Sequence, residues 1–157
     1  MLLCSDLATT SRLTAAATRQ GIALGVAFSV DALLDKAAAQ PTTLVILDLS
    51  LAGLVAADVL ARLRSLPTPP AAVIAFGPHV HENLLAAARA AGCDRVFSRG
   101  QLLGRAEEIL AEFAPGSGRS SRHSSDRRTI VAGRHVLRVT RAVPSRRRAP
   151  RPYRGDR

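Results

Sequence analysis

Asp48 ends an apolar run in "LVILDLSLAG", residues 44–53, where four consecutive apolar residues lead straight into an acid. A lone carboxylate is expensive to bury without a compensating partner, so Asp48 either meets water at a strand end or is there to do chemistry. Asp6 stands close behind the first apolar run, "MLLCSDL". Two carboxylates at strand ends could share a cation. His79 and His81 form an H-x-H pair in "GPHVHENL", and neutral imidazoles could join Asp48 at a transition metal. No third local ligand accompanies them, so they read as loop and helix-start residues. Neither G-x-G-x-x-G nor G-x-x-x-x-G-K-S/T occurs, and no Ser-His-Asp order has the context that hydrolysis requires. Cys4 and Cys93 lack C-x-x-C spacing and read as small core residues.

The elements that must position the two acids follow from hydrophobic periodicity. Hydrophobic residues are 47% of the chain but aromatics only 3%, so the core is built from Leu, Val, Ile and Ala. Over residues 1–114, short apolar runs alternate with segments of helical period. "MLLC", "GIALGVAF", "TLVILDL", "AAVIAF" and "DRVFS" read as strands, the third with the unbroken apolar run of a strand covered on both faces. Between them, "LATTSRLTAAATRQ", "SVDALLDKAAAQ", "LVAADVLARLRSL" and "HENLLAAARAAG" read as helices, closed by Gly21, Pro41, Pro67 and Gly92. The last helix sets Leu102, Leu103, Ala106, Ile109, Leu110 and Phe113 on one stripe, with Arg105, Glu107, Glu108 and Glu112 opposite. Asp58 and Glu82, like these glutamates, read as solvated helix faces. Five β-α units with short links imply an α/β, doubly wound, five-stranded parallel sheet. In such sheets ligands bind outside the carboxyl ends of the strands, where the strand order reverses. For the order 2-1-3-4-5 that point lies between the first and third strands, whose ends carry Asp6 and Asp48.

These residues resemble the receiver domain of two-component response regulators. "LLCSDL" is similar to the family's acidic pair, "LVILDLSLAG" to its phosphoacceptor strand with the D-x-x-x-P-G turn, and "GCDRVFSRGQ" to its G-A-x-x-Y-L-x-K-P segment. The resemblance covers residues 1–114. It implies a flavodoxin-like fold, with Asp48 as phosphoacceptor for a histidine kinase, a phosphotransfer protein or a small phosphodonor. It also implies magnesium held by Asp6, Asp48 and the backbone carbonyl of Ser50. An Asp carboxylate is a weak nucleophile toward phosphorus, and a magnesium ion would neutralise and align the incoming group.

The sequence departs from the family pattern at several of these positions. Ser5 stands for the first acid of the pair, Gly77 for the alcohol after the fourth strand, Arg99 for the lysine, Gly100 for the proline that follows it, and Ala52 for the turn proline. Gly77 and Arg99 are thus the degenerate positions of the phosphate cradle. Arg99 preserves charge but not the compact ammonium of lysine. Without the alcohol, and with only Val96 and Phe97 as candidates for the switch aromatic, the usual coupling is interrupted. The expected module is a degenerate receiver, a pseudo-receiver, in which a slowly phosphorylated and a vestigial Asp48 are both compatible with the residues.

Charge divides the chain. Residues 1–114 hold nine Lys or Arg against ten Asp or Glu, a net of −1, while residues 115–157 hold thirteen Arg against two Asp, a net of +11. The stretch "APGSGRSSRHSSDRR" has too few apolar residues to offset the entropy of ordering it, which places a domain edge near Pro115 and predicts a largely disordered tail. Such a tail could bind nucleic acid without sequence specificity, since Tyr153 is its only aromatic, or an anionic membrane surface. It is equally read as a solvated extension or the product of a shifted reading frame, and "TIVAGRHVLRVT" as a hairpin or a helix. No run approaches the roughly 18 apolar residues of a membrane span, and "MLLCSDLATT" lacks the basic region of a signal peptide. The expectation is a cytoplasmic, stand-alone signalling module that is not an enzyme and works through a downstream protein partner.

Overall fold

The computed structural model describes residues 1–114; the Arg-rich segment 115–157 lies outside the described residues. The chain alternates β1 (Leu2–Leu3), α1 (Leu7–Arg19), β2 (Val26–Ala27), α2 (Val30–Ala39), β3 (Leu44–Asp48), α3 (Ala56–Arg64), β4 (Ala72–Gly77), α4 (Glu82–Ala91), β5 (Arg95–Ser98), α5 (Arg99–Gly104) and α6 (Ala106–Glu112). The five strands are all parallel and ordered β2-β1-β3-β4-β5, the order expected. Among the described residues no helix is long and apolar enough to cross a membrane.

Alternation along the strands divides the core in two. Leu3, Val45, Leu47, Val73 and Ala75 face α2, α3 and α4, which contribute Leu33, Leu34, Val59, Leu60, Leu63, Leu85 and Ala88. Leu2, Ile46, Ile74 and Phe76 face α1, α5 and α6, which contribute Leu13, Ala16, Ala17, Leu102, Ile109 and Leu110. Helices cover both faces, so β3 and β4 are buried at every residue. The chain changes faces between β1 and β3, which makes the gap between their carboxyl ends the switch point.

Local signals set the helix ends. Asp6 caps α1 by accepting from the Thr9 N–H at 2.9 Å, and Ser29 caps α2 by accepting from the Ala32 N–H at 3.2 Å. Gly92 ends α4 at φ 91°, a left-handed conformation that favours glycine. The last helix differs from expectation. It breaks at Arg105 (φ −125°, ψ 26°) into two short pieces. Gly104 weakens the helix just ahead of the break, and Ser98 and Gln101 form a capping box that starts α5 earlier than periodicity indicates. β1 and β2 also shrink to two residues each, because regular pairing between them extends only over Leu2–Val26 and Leu3–Ala27.

Candidate functional site

Asp48 is the last residue of β3, and its neighbours across the sheet are set by register. Leu3 pairs with Leu47, which brings the next residue of the first run, Cys4, beside Asp48. On the other side Asp48 pairs with Phe76 of β4. The Asp48 side chain is 2% exposed, so the cost of burying its charge must be met locally.

Both carboxylate oxygens are engaged. Oδ1 accepts from the Ser50 N–H at 2.9 Å. Oδ2 accepts from the Cys4 thiol at 3.1 Å and faces Arg99 Nη2 at 3.5 Å. Burial first, and then the hydrogen bond to Asp48, pushes the Cys4 thiol up to about 11, so it stays protonated near neutral pH and acts as a donor. Cys4 is therefore more than the small core residue expected from sequence. Its place at the end of the first apolar run, beside Asp48 once the order 2-1-3 is assumed, is the signal that could have found it.

Arg99 opens α5 directly after β5 and reaches back over the carboxyl end of the sheet. Nη2 donates to Ser50 Oγ at 3.0 Å, Nη1 lies 3.9 Å from Asp6 Oδ2, and the guanidinium carbon sits 5.9 Å from the centre of the Phe76 ring. Arg99 Nε is buried without a hydrogen-bond partner among the described residues. Asp6, the cap residue of α1 three positions beyond β1, is more open. Hydrogen bonds from the Thr9 hydroxyl and N–H hold its carboxyl below the usual carboxylate range, with a smaller pull from Arg99.

Asp6, Asp48, Ser50 and Arg99, expected together from sequence, thus converge at the switch point. The cation the two acids share is the Arg99 guanidinium. Gly77 ends β4, buried against Leu49 and Leu85, and offers no side-chain hydroxyl. His79 and His81 are exposed, with His81 capping α4 without a side-chain bond, as loop and helix-start residues should. Glu107, Glu108 and Glu112 pair with Arg19, Arg105 and Arg95 at the surface. Sequence reading missed one further feature. Among the described residues the exposed large hydrophobics are Leu7, Phe28, Val55 and Val80. Each lies just beyond one of the strands β1 to β4, on the loops or helix starts at the carboxyl end that holds Asp48.

No family model matches the chain, and no curated protein does. Solved structures do. A response regulator from Hahella chejuensis superposes with a TM-score of 0.61 at 15% identity, over 76% of this chain and 96% of that one. The receiver domain of NtrX from Brucella abortus gives 0.56 at 16%, over 72% and 98%. The phosphorylated cyanobacterial phytochrome response regulator RcpA gives 0.55 at 18%, over 71% and 90%. These superpositions give the described part of the chain the fold of response-regulator receiver domains.

Proposed function

We propose that this chain is a receiver-like signalling module of a two-component system that works by protein contact rather than by turnover, with Asp48 in the phosphoacceptor position of a degenerate site. The observation that carries the reading is the distribution of exposed apolar side chains. Leu7, Phe28, Val55 and Val80 are each exposed, and each follows one of four successive parallel strands, which puts all four at one end of the sheet. Here they ring the end of the sheet where Asp48, Asp6 and Arg99 meet. The partners that fit are a histidine kinase or phosphotransfer protein on one side and a downstream protein on the other, in the cytoplasm.

Phosphotransfer to Asp48 requires a free oxygen in line with the donor. With Oδ1 held by Ser50, Oδ2 by Cys4, and Arg99 over the opening, the phosphoryl group gains access slowly. Contact-based signalling therefore dominates over phosphate-based signalling in this proposal.

The test titrates the source organism's histidine kinases and phosphotransfer proteins, each purified, against the full chain. Saturable binding to one of them is expected, lost in Leu7→Asp and Val80→Asp and kept in Asp48→Asn. Binding to none, or binding indifferent to the rim substitutions, overturns the reading. A second reading rests on the +11 of residues 115–157, which suits non-specific nucleic-acid binding by counterion release. Its mark is an affinity for duplex DNA that falls linearly with salt on a log scale and weakens when Arg146, Arg147 and Arg148 are replaced by Ser. No binding even at low salt removes it.

A further inference from the structure

We propose that Arg99 is this site's built-in cation. Its guanidinium takes the place a divalent metal would occupy between Asp6 and Asp48, so that the native domain does not take up magnesium. The inference deepens the receiver-like reading and rests on it only for the meaning of the site; its test does not involve a partner protein.

Magnesium demands near-octahedral oxygen coordination at close range and usually needs one or two free carboxylates to hold it. Here three of the four carboxylate oxygens already have partners. Asp48 Oδ1 is taken by the Ser50 N–H, and Oδ2 by the Cys4 thiol and Arg99. Asp6 Oδ2 caps α1 through the Thr9 N–H and also faces Arg99. Ser5 removes the third carboxylate that the family pattern would supply. Among the described residues no three His, Cys, Asp or Glu side chains are grouped to hold a metal.

The guanidinium suits the space it fills. It is planar, permanently charged and has several donors, so one group can face two carboxylates and the Ser50 hydroxyl at once. It is also anchored. The ring of Phe76, itself fully buried, lies beneath it, and the side chain is only one-third exposed. Leaving Nε buried without a partner costs free energy, which the contacts of the two Nη groups offset. A second cation entering here would meet a fixed positive charge, an arrangement that Coulomb repulsion opposes.

The experiment titrates the full chain with MgCl2 to about 20 mM, with Mn2+ as a paramagnetic probe in parallel, read by thermal denaturation and by the Ser50 amide resonance. The wild type should show no saturable shift, and Mn2+ should leave that resonance sharp. Arg99→Gln keeps part of the aliphatic stem but removes the charge, and should bind magnesium about tenfold or more tightly than the wild type. Arg99→Gln/Asp48→Asn should lose that gain. Arg99→Ala serves as an independent variant should Arg99→Gln fail to fold. Saturable, roughly millimolar or tighter binding by the wild type overturns the proposal. So does an unchanged affinity on removing the guanidinium. Either result would leave the partner-binding test untouched.

Discussion

Pairing Arg99 with Asp48 makes a quantitative prediction about stability. At 3.5 Å, two unit charges attract by roughly 5 kcal/mol in an effective dielectric of about 20. Arg99 is 33% exposed while Asp48 is 2% exposed, so screening and desolvation reduce the net worth of the pair to about 1–3 kcal/mol. Arg99→Gln strands a buried carboxylate with only the Ser50 N–H and the Cys4 thiol to support it, and should cost about 2–3 kcal/mol. Asp48→Asn keeps an acceptor for Ser50 but points an amide N–H toward Cys4 and Arg99, and should cost about 1 kcal/mol. The double variant should cost little more than Asp48→Asn, because the carboxylate that needed the guanidinium is gone. The coupling in the double-mutant cycle should therefore reach about 1–3 kcal/mol. Urea denaturation followed by far-UV circular dichroism suits a chain without Trp, and each kcal/mol also corresponds to about 4 °C in Tm for a domain of this size. Costs that add to within about 0.5 kcal/mol would show that the two groups do not support one another, and would refute the reasoning.

Four further outcomes follow from named contacts. A Cβ at Gly77 would meet Leu49 Cβ at 3.4 Å and Leu85 Cδ2 at 3.5 Å, so Gly77→Ser should fold with a stability change within about 1 kcal/mol. Gly92→Ala, at φ 91° and with Arg64 Nη2 at 3.0 Å, should lose about 1–2 kcal/mol in the same urea titration. Asp6→Ala should lower the urea midpoint through loss of the α1 cap, while Asp6→Asn retains most of the wild-type stability. Because Thr9 holds the Asp6 carboxyl below its ordinary value of 3.8, its ionic contribution is complete above that value and is lost as pH falls through the lower folded-state value. The gap between wild type and Asp6→Ala should therefore narrow in acid. Burial pushes both thiols up to about 11, so iodoacetamide at neutral pH should label neither cysteine appreciably in the native protein and both in urea. Rapid native labelling of Cys4 would contradict its hydrogen bond to Asp48.

Hydrophobic alternation along residues 1–114 was enough to read five strands, their alternation with helices and the placement of Asp48 at the exit of the third. The reason is that burial is periodic. A strand covered on both faces shows as a continuous apolar run, as in Leu44–Leu47, and an amphipathic helix shows as a stripe, as in α3. Element ends were less legible. The break at Arg105 depends on Gly104 and on the Ser98–Gln101 capping box, which compete with a continuous apolar stripe.

What the chain determined by itself was the set of groups available: two acids at strand ends, an arginine after the fifth strand, a glycine in place of an alcohol, and a basic surplus confined to residues 115–157. Only the tertiary structure decided how those groups satisfy one another. Cys4 meets Asp48 across 44 residues and Arg99 meets it across 51. Such contacts depend on strand register and on the packing of α5 against the sheet, and no local period encodes either. A buried carboxylate must find its counter-charge somewhere, but which side chain supplies it is settled by three-dimensional proximity in a medium of low dielectric, where a few ångströms decide between a metal site and an internal ion pair.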